Sequence, residues 1–203
     1  MPRREQYTGC LLGLALGDAL GFPVEGMSLE RIRRTFGPAG VEDFVDGGWL
    51  GLPHGTVSDD TQITMAVARA VEKASPKRIL EELTGLVARL SDELEASLKK
   101  VKECEGMEPS EAFARFGETG SAEEVFASAL FCFLRTPEDY RATVLAGANS
   151  NGDSDSIAAQ AGALSGAYNG AAAIPEKWRR GVENAAELER LASELFTHAS
   201  GGY

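Results

Sequence analysis

Two short clusters of acidic and hydroxyl residues, 58–60 and 153–156, have residue types and a spacing that favour metal chemistry. Carboxylate and hydroxyl oxygens without His or Cys nearby favour hard divalent cations over zinc. The clusters comprise Ser58, Asp59 and Asp60, and Asp153, Ser154, Asp155 and Ser156. Each begins a stretch that the sequence predicts to be helical. If the two helix N-termini face one another across a cleft, the aspartates, with the hydroxyls of Ser58 and Ser156, would hold Mg²⁺ or Mn²⁺.

Helix capping is the alternative explanation for either cluster. Asp59 with Gln62 three residues later resembles a capping box, and Asp60 in the first turn would complement the helix dipole. Ser154 or Asp155 would cap the second helix in a similar way. Capping uses one oxygen at each helix end, whereas each cluster offers three or four. The two clusters together therefore favour a metal site.

A third group of candidate residues lies at the end of a predicted apolar helix, between Gly17 and Gly26. Asp18 lies on this helix, where a buried carboxylate must be hydrogen-bonded or paired. It is either a structural acid that ties down the helix end or part of the site. Glu25 follows the helix directly, and it is either a solvated loop acid or a group that points into the same cleft.

Helical periodicity dominates the rest of the chain, and neither strand alternation nor an internal repeat is visible. Residues 22–57 are rich in glycine and proline, which predicts loop with one short helix. Small residues dominate 156–171 and let helix backbones approach closely, which indicates a central helix. The predicted helices span 5–20, 28–35, 61–74, 83–101, 111–116, 121–134, 138–148, 156–171 and 183–197, with a further short helix beginning at Pro175. The sequence therefore predicts an all-α fold.

The length and composition indicate one globular domain, residues 1–203, with 43% hydrophobic and 25% charged residues. A net charge of −11 argues against nucleic acid and anionic membranes as partners. The three cysteines are scattered and odd in number, so we expect free thiols and a cytoplasmic location. No apolar run reaches the roughly 20 residues of a membrane span, and the apolar stretch 10–16 ends too early for a signal peptide.

Three motifs, in this order, resemble the ADP-ribosylglycohydrolase family, which includes dinitrogenase reductase-activating glycohydrolase and the ADP-ribosyl-acceptor hydrolases. They cover about a third of the chain, and the third is highly specific to the family. The matching segments are GCLLGLALGDALGFPVEG at 9–26, GTVSDDTQITMAVARA at 55–70, and ANSNGDSDSIAAQAGALSGAYNG at 148–170 followed by IPEKW at 174–178. A chance match of all three in this order is very improbable.

The resemblance implies an all-α, multi-helix bundle with a binuclear magnesium or manganese site between helix N-termini. Its members cleave N- or O-glycosidic bonds at ADP-ribose, so an ADP-ribose-like molecule or an ADP-ribosylated substrate is the implied partner. Carried over by motif, the metal ligands are Ser58, Asp59 and Asp60 on one side and Asp153, Asp155 and Ser156 on the other. Glu25 matches the acid that several members use as acid or base near the metals.

The chain departs from the family pattern in two ways. Serine replaces the family's usual threonine at positions 58 and 156, and this replacement keeps the hydroxyl. The stretch after the first aspartate cluster is shorter than in the family pattern. A glycine- and asparagine-rich loop that helps many members bind the diphosphate has no clear counterpart, since Gly117–Ser121 is a weak match. The leading hypothesis is a metal-dependent hydrolase of ADP-ribosyl or smaller ribosyl substrates. The alternatives are a non-catalytic member that binds metal and nucleotide or has a structural role, and a plain helical scaffold.

Overall fold

The computed structural model describes residues 3–45, 51, 53–58, 60–61, 64–65, 99–117 and 120–200. All regular secondary structure in these ranges is helical, which confirms the all-α prediction. The helices are α1 (Arg4–Gly21), α2 (Leu29–Phe36), α3 (Pro109–Phe116), α4 (Ala122–Arg135), α5 (Tyr140–Ala148), α6 (Ser154–Asn169), α7 (Glu176–Gly181) and α8 (Ala185–Ser200). Short 3₁₀ turns follow α1 at Phe22–Val24 and α6 at Ala171–Ala173. Residues 60–61, 64–65 and 99–103 are also helical.

The predicted helices agree with the observed ones to within two or three residues wherever the structure describes both. Capping residues explain two of the boundaries. Ser28 accepts the Arg31 N–H at 3.3 Å to begin α2, and Asp139 accepts the Ala142 N–H at 2.9 Å to begin α5. The predicted helices 61–74 and 83–101 lie mostly outside the described residues.

Helix α1 packs against α6 along a seam of glycines spaced four residues apart. A Cβ atom built on Gly9 would lie 2.1 Å from the Gly166 carbonyl oxygen, and one built on Gly17 would lie 1.9 Å from that of Ala158. Such distances are shorter than any real carbon–oxygen contact, so the helix backbones themselves touch. Residue numbers rise on α1 as they fall on α6, so the two helices are antiparallel. The prediction of a close-packed central helix is therefore confirmed.

The seam also accounts for the apolar character of α1. By length and composition the stretch Arg4–Val24 could cross a membrane, contrary to our expectation that no run is long enough. However, 67% of its apolar 18-residue window is buried inside the molecule, as in the core helix of a globular protein. Its buried apolar residues form part of the hydrophobic core.

Two groups of buried apolar side chains lie on either side of α6. One contains Leu16 and Leu20 of α1 with Trp178 and Leu188, and the other contains Phe113, Phe116 and Phe131. Helix α6 contributes Ala158 to the first group and Ile157 and Ala161 to the second. The three cysteines are free thiols, as predicted.

Candidate metal centre

The antiparallel seam brings the end of α1 to the beginning of α6. The Ser154 hydroxyl donates a hydrogen bond of 3.1 Å to the Gly21 carbonyl oxygen. A Cβ atom on Gly21 would lie 2.5 Å from the Cα atom of Asp155, so glycine is needed for this approach. The second acidic cluster is therefore held against the last turn of α1.

Backbone hydrogen bonds tie the loop that carries Glu25 to the loop that carries Asp153. The Gly26 N–H donates to the Gly152 carbonyl oxygen at 2.7 Å, and the Gly152 N–H donates to that of Met27 at 3.4 Å. The Leu29 N–H donates to Asn151 Oδ1 at 2.8 Å, next to the same contact. Glu25 and Asp153 therefore lie side by side although 128 positions separate them in the sequence.

Three carboxylates converge at this point. One oxygen from each of Glu25, Asp153 and Asp155 lies within 4.8 Å of the corresponding oxygens of the other two. Glu25 is exposed, Asp153 is half-buried and Asp155 is only 5% exposed. The group is thus accessible to solvent at Glu25 and buried at Asp155, as expected of a binding site that is open on one side.

Asp155 is the electrostatically strained member of this group. Burial, contact with Asp153 and the negative charge of Glu25 together raise its pKa to about 8, whereas a hydrogen bond from the Ser156 N–H opposes the shift. Among the described residues, Asp155 Oδ1 is buried without a hydrogen-bond partner. A buried oxygen acceptor of this kind is costly unless a proton or a cation satisfies it.

The capping explanation does not account for the second cluster. Asp153 occupies the N-cap position of α6, yet its side chain accepts no capping hydrogen bond from the helix. The Ser154 hydroxyl is directed to Gly21, and Ser156, also assigned to the site, is half-buried in the first turn. The carboxylates of this cluster therefore face one another and Glu25.

Ser58 of the first cluster lies at the same end of α1, where it and Thr61 are hydrogen-bonded to Asp18. The Ser58 N–H donates to both carboxylate oxygens of Asp18 at 3.0 Å, and Thr61 donates its N–H at 3.1 Å and its hydroxyl at 2.5 Å to Asp18 Oδ2. Burial raises the pKa of Asp18, and these hydrogen bonds partly offset the rise. Ser58 is buried and its Oγ accepts the Asp60 N–H at 3.2 Å.

The structure brings some of the predicted site residues close together and not others. Glu25, Asp153 and Asp155 form one compact group. Asp60 is half-buried and, among the described acids, does not join the oxygens that lie within 4.8 Å of one another. Asp59 lies outside the described residues.

The residues at this site fit a hard divalent cation. The group consists of carboxylate oxygens, includes a buried oxygen without a partner, and carries like charges that a cation would neutralise. Mg²⁺ and Mn²⁺ are bound by such oxygen sets, whereas zinc sites usually include His or Cys.

Gly120 is a neighbour of the acidic group that the sequence did not identify as a site residue. A Cβ atom on Gly120 would lie 3.2 Å from Asp153 Oδ2, and the φ angle of this glycine is +75°. Gly120, which belongs to the weakly matching segment Gly117–Ser121, therefore borders the acidic group. Gly120 lies between α3 and α4 in the sequence, and the two glycines of this segment were the one signal that could have pointed to it.

Comparison with known proteins assigns the chain to a protein family. The family model for ADP-ribosylglycohydrolase matches the chain in two overlapping parts, residues 1–78 and 64–203. An uncharacterized protein of Archaeoglobus fulgidus is 22% identical over 298 aligned residues, covering 95% of this chain and 96% of that protein. Because the alignment is longer than the 203 residues of the chain, the relative contains segments that this chain lacks.

Relatives with named activities match smaller parts of their own length. The ADP-ribosyl-[dinitrogen reductase] glycohydrolase of Rhodospirillum rubrum is 41% identical over 67 residues, which cover 33% of this chain and 22% of that protein. ADP-ribosylhydrolase ARH3 of Bos taurus is 27% identical over 161 residues, which cover 64% of this chain and 44% of that protein. The chain thus matches less than half the length of these two hydrolases.

The fold is also that of a solved structure. An ADP-ribosylglycohydrolase-related protein complex superposes with a TM-score of 0.69 at 22% identity, covering 97% of this chain and 98% of that one. The likeness extends over nearly the whole of both chains and shows a shared fold.

Proposed function

Because the chain belongs to the ADP-ribosylglycohydrolase family, we propose that it hydrolyses the glycosidic bond of an ADP-ribosyl or smaller ribosyl substrate, with Mg²⁺ or Mn²⁺ as cofactor. The observation that carries this proposal is the convergence of Glu25, Asp153 and Asp155 at the end of α1. Named relatives are an ADP-ribosyl-[dinitrogen reductase] glycohydrolase and ADP-ribosylhydrolases, which supports a hydrolase of this type.

The metal site that we propose contains two divalent ions. Its ligands are Ser58, Asp59, Asp60, Asp153, Asp155 and Ser156. Two ions would supply positive charge that polarises bound oxygen atoms and counters the negative charge of these carboxylates. The raised pKa of Asp155 supports this assignment, because the loss of its proton becomes favourable when a cation replaces it.

Glu25 is the residue that we assign to proton transfer. Glycosidic cleavage passes through an oxocarbenium-like state, so the leaving group needs an acid or the attacking water needs a base. Glu25 is exposed beside the buried acids, and the Gly26–Gly152 hydrogen bond fixes its loop. It would therefore be able to exchange protons with solvent from a loop that is tied to the loop of Asp153.

The substrate that we propose is smaller or more loosely enclosed than in the longer relatives. The alignment with the archaeal relative shows that this chain lacks segments of it, which would leave a more open cleft. The backbone at Gly120 borders Asp153, so it would also border a substrate bound at this group.

A non-catalytic role is the second candidate, favoured by the same shortening. Such a protein would bind metal and nucleotide without cleavage, or serve a structural role. We also propose that residues 1–203 form one domain and that the chain is cytoplasmic, the latter supported by the three free thiols.

The proposed function is tested by measuring release of ADP-ribose from N-linked and O-linked ADP-ribosyl substrates. We expect turnover with Mg²⁺ or Mn²⁺, its loss in EDTA and its recovery on adding metal. Asp155→Ala should abolish turnover while the protein stays folded. Metal-dependent binding of ADP-ribose without turnover would favour the non-catalytic candidate, and turnover unchanged in EDTA would contradict the proposal.

A further inference from the structure

Asp18 is a completely buried carboxylate whose hydrogen-bond partners, among the described residues, come from one distant segment. Its two oxygens accept the Ser58 N–H, the Thr61 N–H and the Thr61 hydroxyl, at 2.5 to 3.1 Å. Forty positions separate Asp18 from Ser58, so these bonds are tertiary. A carboxylate acceptor makes stronger hydrogen bonds than a neutral group, and burial strengthens them further.

These bonds fix both ends of the four-residue segment that contains the first aspartate pair. Ser58 and Thr61 directly flank positions 59 and 60. The Ser58 hydroxyl also accepts the Asp60 N–H, so the residue held by Asp18 in turn holds Asp60. The backbone N–H groups of Ser58 and Thr61, on either side of the aspartate pair in the sequence, therefore both bond to the carboxylate of Asp18 on α1.

The same turn of α1 also positions the second cluster. Asp18 and Gly21 are three residues apart, and residues at this spacing lie on one side of a helix. Asp18 accepts hydrogen bonds from Ser58 and Thr61, while the Gly21 carbonyl oxygen accepts the Ser154 hydroxyl next to Asp155. One helical turn thus sets the place of both clusters.

We propose that Asp18, acting through Thr61 and Ser58, is the positioning residue that aligns the first aspartate cluster with Asp153 and Asp155. We assign Asp18 a positioning role rather than that of a ligand, because it is completely buried and its oxygens accept hydrogen bonds from Ser58 and Thr61. This inference rests on the proposed metal site and adds a residue to it. The sequence left open whether Asp18 is a structural acid at the helix end or part of the site. In this proposal it is both, because the bonds that tie down the helix end also position the site.

The test compares variants of Thr61 with a matched control. Thr61→Val removes the hydroxyl donor at nearly constant volume, and Thr61→Ser keeps it. Thr143 is equally buried and donates its hydroxyl to the Thr136 carbonyl oxygen at 2.8 Å, so Thr143→Val makes the same change in another part of the fold. Asp18→Asn is a second variant that exchanges acceptor oxygen for a donor amide.

Magnesium alone is titrated calorimetrically into each metal-free, full-length variant, at a temperature where circular dichroism shows all of them folded. We expect Thr61→Val and Asp18→Asn to weaken magnesium affinity roughly 10- to 100-fold, as is usual for residues that orient metal ligands. Thr61→Ser and Thr143→Val should bind as the unmodified protein does. Turnover of Thr61→Val should recover when magnesium is raised in proportion.

Two results would overturn the inference in distinguishable ways. If the unmodified protein and Thr61→Val bind magnesium with equal affinity, Asp18 only stabilises the fold and this inference alone is wrong. If the unmodified protein binds no divalent cation, the proposed metal-dependent function fails, and the inference fails with it.

Discussion

Asp155 is the residue at which burial, like charge and the proposed metal chemistry meet. Its folded-state pKa of about 8 is far above its unfolded value, so the folded protein keeps a proton there that the unfolded chain has lost. Between about pH 4 and pH 8 the unfolded state binds fewer protons, and stability falls as pH rises. A divalent ion would reverse this effect because it binds the deprotonated carboxylate.

We therefore expect the metal-free protein to lose stability towards pH 8, by up to about 1.4 kcal/mol for each pH unit. Added Mg²⁺ should stabilise it more at pH 8 than at pH 6. Thermal unfolding at the two pH values, with and without metal, measures both effects. Equal stabilisation by Mg²⁺ at pH 6 and pH 8 would mean that Asp155 does not take part in binding.

Asp155→Asn should separate metal binding from folding. The amide removes the charge without changing size, so the metal-free variant should be more stable than the unmodified protein at pH 8 and should bind Mg²⁺ far more weakly. Chemical denaturation and calorimetry measure the two quantities. A variant that is less stable and still binds metal normally would contradict the account of this residue.

Glu25→Gln should lower turnover without weakening Mg²⁺ binding, unlike Asp155→Asn. Glu25 is exposed and is assigned to proton transfer, so its amide should leave Mg²⁺ affinity nearly unchanged and lower turnover by roughly 10²- to 10⁴-fold, the usual contribution of general acid–base catalysis. Parallel metal titrations and rate measurements distinguish the roles. Equal loss of metal affinity in the Glu25 and Asp155 variants would show that Glu25 is a ligand.

Among the structural elements, the α1–α6 seam determines whether the site forms. Helix propensity alone would make Gly17→Ala stabilising by up to about 1 kcal/mol. The new methyl would meet the Ala158 carbonyl oxygen at 1.9 Å, so the helices must move apart, and overpacking of this kind usually destabilises by about 1 to 3 kcal/mol.

We therefore expect Gly17→Ala to lower the free energy of unfolding and to weaken metal binding. Denaturant unfolding gives the sign of the change directly. A stabilised Gly17→Ala protein would show that the seam is looser than described.

Local signals in the sequence were enough to predict most of these elements, whereas the contacts between them were not. Ser28 and Asp139 begin their helices as caps, and the small residues of α6 indicated its central place. The hydrogen bonds of Asp18 to Ser58 and Thr61, and the approach of Gly120 to Asp153, arise from packing between distant segments. No local pattern specifies such pairings, so the motifs indicated the candidate ligands, whereas their relative placement depends on the fold.

At the scale of the whole molecule, a shortened chain with a net charge of −11 keeps the family fold. An acidic surface repels an anionic substrate at long range, so binding of a diphosphate depends on charge supplied at the site. The proposed ions would supply that charge. Nucleotide affinity should therefore depend entirely on metal.

Sequential calorimetric titration of the metal-free protein, first with Mg²⁺ or Mn²⁺ and then with ADP-ribose, tests this central claim most directly. We predict that metal binds and that ADP-ribose binds only to the metal-loaded protein. Absence of metal binding, or ADP-ribose binding with equal affinity in EDTA, would contradict the account.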